Sequence, residues 1–384
     1  MQSFSFYAPT RIYFGENCVK NSTSLIRTFG TKALIITTRF LEACHNLALE
    51  DAVAAAEQAG VGYYVYEDVE ENPSVESIVE LARLAKSFGA EMVIGIGGGS
   101  AIDSAKAIGV IIDRLDEDPY QVFFGRGRRC TELLNMNRLP VIAIPTTAGS
   151  GSEMSPNLIL TRTADGTKMC IEQRAYAEAA MLDPRYICGA PDSIFYSGVL
   201  DALAHDIESY INKSSTVGNR TVAEAGFILF RSFKEKIAAM DRHGLTMADY
   251  GRILLHASVA GVTVGMNGSA LPHGMGYPLS HEKQQFHGYA SCICLPEYLK
   301  LYKDQELVSY VLSSCGFSGT EEFGSFISAF SRRFMDFTIT PEEIAEWSHD
   351  FSRNEGRMSR HPWPLGYEDV LRMYTNALTP FTVK

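Results

Sequence analysis

Short apolar runs alternate with stretches of helical spacing through the first half of the chain, which is the pattern of a parallel sheet flanked by helices. Lys32 to Thr37, Gly62 to Tyr66, Glu91 to Ile96 and Val141 to Ile144 read as strands. Between the first two, Leu41 to Gly60 has apolar residues at helical intervals and stops on glycine. Pro73-Ser74 opens a second helix that runs to Gly89, and Ala101 to Ile108 belongs to a third. Beyond Met181-Leu182-Asp183-Pro184 the strand-like runs give way to helical periods over Val199 to Ile211, Val222 to Ala239, Ala248 to Val262, Glu321 to Phe334, Pro341 to Ser352 and Tyr367 to Leu378. The expected class is α/β plus all-α, with a parallel-sheet domain over residues 1–185 and an all-helical domain over residues 186–384. A chain of 384 residues is long enough to give each its own core.

Composition removes some function classes. An apolar fraction of 46% and a charged fraction of 21% are those of an ordinary globular protein. No apolar run approaches the roughly 20 residues that span a bilayer. The start Met1-Gln2-Ser3-Phe4-Ser5-Phe6 lacks the basic end and apolar core of a signal peptide. A cytoplasmic protein with no membrane partner is expected. The net charge of −11 argues against a nucleic-acid partner, since phosphate binding needs a positive surface. Arg126-Gly127-Arg128-Arg129 is the one basic cluster and reads as a solvated loop. The eight cysteines show no C-x-x-C and read as reduced thiols, with Cys292 and Cys294 alternating into an apolar segment.

Two loops carry phosphate-type chemistry. The third strand runs into Gly97-Gly98-Gly99-Ser100 and then a helix, which brings free backbone N–H groups and the positive helix end to one point. Glycine there lets a pyrophosphate approach the backbone, although a tight turn alone also uses glycine. The run is not G-x-G-x-x-G after the first strand, and no carboxylate follows Thr37. A second strand ends at Pro145-Thr146-Thr147-Ala148-Gly149-Ser150-Gly151-Ser152-Glu153. Hydroxyls and glycines at strand ends are where open parallel sheets bind ligands, and one long ligand lying across both loops accounts for the pair.

The helical half offers a metal set. Asp201 and His205 are four apart, on one face of a helix, and His273 and His287 complete four donors. Three imidazoles and a carboxylate suit Fe or Zn, whereas calcium takes mostly oxygen. His281 stands between the last two and offers an alternative ligand; His256 and His361 read as isolated and structural.

Taken in order, Gly97-Gly98-Gly99-Ser100 with Asp103 and Lys106, the Pro145 to Glu153 loop, Asp201-Ala202-Leu203-Ala204-His205, Pro272-His273-Gly274-Met275 and Phe286-His287-Gly288 resemble the iron-containing (group III) alcohol dehydrogenase family, of the dehydroquinate-synthase-like fold. The resemblance implies a homodimer that moves hydride between a small alcohol, or its aldehyde or ketone, and NAD or NADP with a divalent metal, usually Fe²⁺ and sometimes Zn²⁺. It makes Asp201, His205, His273 and His287 the ligands and the Gly97, Gly98, Gly99, Ser100 turn the pyrophosphate site. It places Asp103, Thr146, Thr147, Ser150, Asn157, Lys168 and Asn72 with the cofactor. The alternating Ser3-Phe4-Ser5-Phe6-Tyr7 reads as an edge strand that could pair across a dimer. Alternatives are a polyol dehydrogenase similar to glycerol dehydrogenase, a lyase-like relative of dehydroquinate synthase, and a catalytically impaired nucleotide-binding paralogue.

The chain departs from the family pattern twice. Thr38, followed by Arg39, stands where NAD-preferring members often carry an acidic residue for the ribose, so NADP or dual use is expected. Tyr277 stands where members commonly have a further histidine four residues after the third ligand. On a continuous helix it would share a face with His273, and a phenol can relay a proton, though it is a weaker base than imidazole at neutral pH.

Overall fold

The computed structural model describes residues 3–39, 46–125, 139–164, 167–171 and 174–383. The chain divides into two compact units, Tyr7–Ala190 and Pro191–Lys384, the latter joined by Met1–Phe6.

The first unit is built on strands β1 (Arg11–Phe14), β2 (Lys32–Thr37), β3 (Gly62–Tyr66), β4 (Met92–Gly97), β5 (Val141–Pro145) and β8 (Ala179–Leu182), all parallel, in the order β1-β8-β5-β4-β2-β3. β6 (Ile159–Arg162) and β7 (Thr167–Cys170) form a separate antiparallel hairpin. β4 and β5 are buried along their whole length, as continuous apolar runs covered on both faces should be. Alternate residues of β2 enter opposite cores. Leu34 and Ile36 meet the helices Val75–Phe88 and Gly99–Ile111, while Ala33 and Ile35 meet Leu47–Gln58. The Val75–Phe88 helix is closed at both ends by the expected residues: the Ser74 side chain accepts from Ser77 N, and Gly89 takes a left-handed conformation.

The direction of sheet growth reverses between β2 and β4. β3 extends the sheet on one side, while β5 and β8 extend it on the other. Ligands of open parallel sheets bind at strand C-termini at such a point. The register sets Gly97 opposite Pro145, so both ligand-type loops leave the sheet at the same level.

The second unit is helical. Asp192–Ile211 is buried from Phe195 onward with few exceptions, and Val217–Ala238, Met247–Asn267 and His287–Ile293 pack on it. Thr216 and Thr246 close capping boxes at the starts of two of these neighbours.

Several expectations need correction. Ser3 to Tyr7 forms no strand within the chain, the first strand being Arg11–Phe14; Phe4 instead lies over Gly218, where a Cβ would stand 2.4 Å from its ring. The helix expected from Leu41 is described only from Leu47, and Arg126 to Arg129 lie outside the described residues. Strands β1, β6, β7 and β8 are too short to show a period. Among the described residues no single helix is long and apolar enough to cross a membrane.

Candidate metal centre and nucleotide loops

The helix Asp192–Ile211 carries Asp201, His205, Asp206, Glu208 and Ser209 into the core. Burying such groups costs free energy unless each is paired, hydrogen-bonded or bound to a metal. Asp201 Oδ1 lies 3.3 Å from His273 Nε2, 3.9 Å from His205 Nε2 and 3.8 Å from His287 Nε2. The rings of His205 and His273 stack with centroids 4.5 Å apart, and His287 meets His273 edge-on at 5.3 Å. One ligand atom from each of Asp201, His205 and His273 falls within 4.8 Å of the other two. The His287 side chain is 45% exposed, so the cluster opens toward solvent at that residue.

Glu208, absent from the sequence-based set, explains the electrostatics. It is fully buried; its Oε1 is 2.7 Å from His273 Nδ1, and its Oε2 accepts from Ala270 N at 2.8 Å and His273 N at 3.3 Å. When the His273 Nδ1–H donates to Glu208, the Nε2 lone pair faces a carboxylate oxygen. Two acceptors in that position repel unless a proton or a cation stands between them. Asp201 Oδ1, His205 Nδ1 and His273 Nε2 are all buried without a hydrogen-bond partner. Three imidazoles and one carboxylate are the donor set of a divalent transition metal, so these residues fit one.

Burial pushes the His205 imidazole down to about 3. Burial acts in the same direction on His273, but Glu208 and Asp201 outweigh it and raise the group to about 10. For Asp201, burial raises the carboxyl and the facing imidazoles outweigh it, holding it well below the usual carboxylate range. Glu208 was legible in principle, because residues 201, 205 and 208 fall on one helix face.

Close backbone approach sets the positions of the candidate ligands. A Cβ on Gly288 would stand 1.8 Å from Ser197 O, so only glycine lets the His287–Ile293 helix lie against the Asp192–Ile211 helix; Gly288 N donates to Ser197 Oγ at 3.0 Å. The turn before His273 is tied to the same helix by Ser209 Oγ donating to Gly268 O and Asn212 Nδ2 donating to Ser269 O.

The continuous helix on which Tyr277 would share a face with His273 is interrupted at Gly276. Pro278, which has no N–H to donate, follows it, and the segment breaks into Leu271–Met275 and Tyr277–His281. The Tyr277 ring lies 6.1 Å from that of His287 at 21°, and its hydroxyl accepts from Arg357 Nη2 at 2.9 Å. His281 is exposed and outside the cluster of buried ligands. His256 and His361 are not isolated. His256 Nε2 is 3.2 Å from Asp206 Oδ2, and His361 Nδ1 is 2.8 Å from the Tyr298 hydroxyl.

In the sheet unit the two loops face each other. A Cβ on Gly98 would be 3.2 Å from Thr147 Oγ1, and one on Gly99 would be 3.2 Å from Ser150 Oγ. The glycines therefore serve the loop contact as well as any ligand. No side chain caps the Gly99–Ile111 helix, whose first turn carries no acidic residue and is open to an anion. Thr146 N donates to Gly97 O at 3.0 Å, and Thr38 Oγ1 would lie 3.9 Å from a Cβ on Gly97. Asn72 has a left-handed backbone, donates its N–H to Ser100 Oγ at 3.1 Å, and accepts at its carbonyl from Thr161 Oγ1.

Asp103 and Lys106 point into the protein. Asp103 Oδ2 accepts from Ile159 N at 2.9 Å, and its Oδ1 is 3.1 Å from Lys106 Nζ. The fully buried Lys106 donates to the carbonyls of Ser152, Ser155 and Asn157. Lys168 lies on β7, opposite Thr161 in the hairpin. Arg39 is paired with Asp68 at 2.7 Å on the surface.

Two family models match the chain: "iron-containing alcohol dehydrogenase" over residues 9–184, and the C-terminal region of the Fe-containing alcohol dehydrogenase family over residues 195–321. Lactaldehyde reductase of Escherichia coli K12 is 30% identical over 298 residues, which is 76% of this chain and 74% of that protein. Sulfoacetaldehyde reductase of Bilophila wadsworthia is 29% identical over 77% of this chain and 73% of its own length. The crystal structure of an iron-containing alcohol dehydrogenase from Thermotoga maritima superimposes with a TM-score of 0.84 at 27% identity, covering 98% of this chain and all of that one.

Proposed function

The chain belongs to the iron-containing alcohol dehydrogenase family, and from that premise we propose that Asp201, His205, His273 and His287 hold Fe²⁺ while the loops at Gly97–Ser100 and Thr146–Ser150 hold a nicotinamide dinucleotide. The protein is an oxidoreductase that moves hydride between an alcohol and its aldehyde. The observation that carries the metal reading is the group of unpartnered buried atoms on Asp201, His205 and His273. When bound, the metal supplies a Lewis acid that polarises a carbonyl or acidifies an alcohol, and the nicotinamide supplies or accepts the hydride.

The remaining work falls to the chain's own groups. The open first turn of Gly99–Ile111 takes the pyrophosphate, and Ser100 is oriented by Asn72. Thr146, Thr147 and Ser150 line the nicotinamide half, with Asn157 and Lys168 near it. Lys106 and Asp103 hold the second loop in shape from beneath. With Arg357 donating to the Tyr277 oxygen, the phenolic proton is left to point at a substrate oxygen, so Tyr277 acts as the proton relay. The substrates are small alcohols and aldehydes, as in the reductases of lactaldehyde and sulfoacetaldehyde.

Thr38 brings no carboxylate against a 2′-phosphate, and Arg39 is exposed beside it, which favours NADP or dual use. The measurement is kcat/KM with both cofactors in the parent and in Arg39→Ala; a strong NAD preference in the parent sinks the idea. A cytoplasmic homodimer fits six free cysteines among the described residues and an edge strand β1 that exposes Ile12 and Phe14. The test of the whole reading is metal analysis of anaerobically purified protein followed by nicotinamide absorbance with small alcohols and aldehydes. Absence of both bound metal and turnover rejects it.

A further inference from the structure

Arg357 stands beside the candidate metal centre with its charge unspent. It occupies the short helix Glu355–Met358, whose start is capped by the Asn354 side chain accepting from Arg357 N at 3.1 Å. Its stem runs along the backbone of Gly274, the residue after ligand His273: a Cβ there would lie 3.2 Å from Arg357 Cδ and 2.8 Å from Phe351 Cε2. Its guanidinium reaches the Tyr277 hydroxyl at 2.9 Å and lies 4.9 Å from the centre of that ring, which is itself parallel to the ring of ligand His287.

What it lacks is an anion. Two neighbouring cations are spoken for, Lys283 with Glu343 at 2.6 Å and Arg360 with Ser269 O at 3.0 Å. Among the described residues the Arg357 guanidinium has no carboxylate within ion-pair distance, and its one hydrogen bond goes to the Tyr277 phenol oxygen. A guanidinium has five N–H donors in a planar fork suited to an oxyanion. A half-buried cation left with one neutral acceptor is poorly compensated, and an anionic ligand would repair that.

We propose that Arg357 is a specificity residue that selects small aldehydes and alcohols whose tail carries an oxyanion such as a carboxylate, held by the guanidinium while the reacting carbon lies at the Asp201–His205–His273–His287 cluster. The proposal rests on the reading of that cluster as the oxidoreductase site. Tyr277 thereby has two neighbours with distinct tasks, an imidazole that belongs to the metal set and a guanidinium that reads the substrate.

The experiment compares succinate semialdehyde with its uncharged isostere isocaproaldehyde in metal-loaded enzyme, for the parent, Arg357→Met and Arg357→Lys. Calorimetry of butanoate binding to the same proteins runs in parallel, independent of turnover. The parent should prefer the anionic aldehyde in kcat/KM. Arg357→Met also frees the Tyr277 hydroxyl and so lowers the rate on both aldehydes, but the loss on the anionic one should be about 10- to 100-fold greater than the loss on the isostere. Arg357→Lys, which keeps the charge without the fork, should fall between, and serves alone if the Met variant does not fold. Butanoate should bind the parent and not Arg357→Met. Equal or better use of isocaproaldehyde by the parent, or equal losses on both aldehydes in Arg357→Met, overturns the proposal while leaving the oxidoreductase reading intact. Turnover of neither aldehyde counts against that reading, and butanoate binding then decides for or against Arg357 by itself.

Discussion

The two facing loops of the sheet unit and the candidate metal centre of the helical unit solve the same problem in opposite ways. In the sheet unit, two loops that follow different strands are brought together by strand register, Gly97 opposite Pro145, and polar residues of the motif such as Asp103 and Lys106 turn inward to hold backbone. In the helical unit the candidate ligands are spread from residue 201 to residue 287, and they are gathered around one central helix that itself supplies the supporting carboxylate, Glu208. A loop that binds a ligand through backbone needs few special side chains but a firmly held main chain. A centre that binds through side chains needs each ring fixed in tautomer and direction, and that demands buried partners. The first site can therefore be damaged by loosening carbonyls, the second by altering a single proton.

Substitutions separate the two designs, beginning with the largest effect. Removing a metal donor, as in His273→Ala, should abolish metal retention and lower kcat/KM by at least about a thousandfold, as losing a principal catalytic group does; full metal occupancy in this variant would contradict the ligand assignment. Glu208→Gln keeps the shape but cannot accept in the same way, and should weaken metal affinity by about 10- to 100-fold in competition with a chelator. If affinity is unchanged, Glu208 is only a packing residue.

Lys106→Met probes the other region. It strands three carbonyls and Asp103, and should cost about 3 kcal/mol in denaturant unfolding while raising KM for the dinucleotide, with metal content untouched. A loss of metal in this variant would show that the two designs are not separable in this way. The smallest effect is a pH dependence in the helical unit. Burial raises the Asp249 carboxyl, but Lys236 and the Thr246 cap outweigh it and bring it down to about 2. A carboxyl depressed in the folded state stabilises above its unfolded value near 4 and loses that contribution as pH falls toward 2. Asp249→Asn should be less stable than the parent at pH 7, and the two unfolding curves should converge between about pH 4 and pH 2. A gap that stays constant down to pH 2 would exclude this linkage.

Much of this was legible in the chain. The strands Lys32–Thr37 and Gly62–Tyr66 and the helices Pro341–Ser352 and Tyr367–Leu378 have the limits their patterns predict, because their apolar spacing and end residues agree. The Asp201–His205 pair and the two glycine and hydroxyl loops stand out by residue type and spacing, and the family pattern singles out His273 and His287 beside His281. Strands β1 and β8 did not, since four residues are too few to display a period.

What the sequence determined by itself is the kind of chemistry: three imidazoles and a carboxylate, two phosphate-type turns, and a family pattern that orders them. Only the tertiary structure decided how those groups are held and oriented. It put Glu208 behind His273, turned Asp103 and Lys106 onto the backbone of the second loop and its neighbours, and interrupted the helix at Gly276, beyond which Tyr277 stacks on His287 and meets Arg357. The reason is physical. Residue type and local period are properties of a few neighbouring positions, whereas the partner of a buried charge is chosen by whichever distant segment close packing brings within about 3 Å of it.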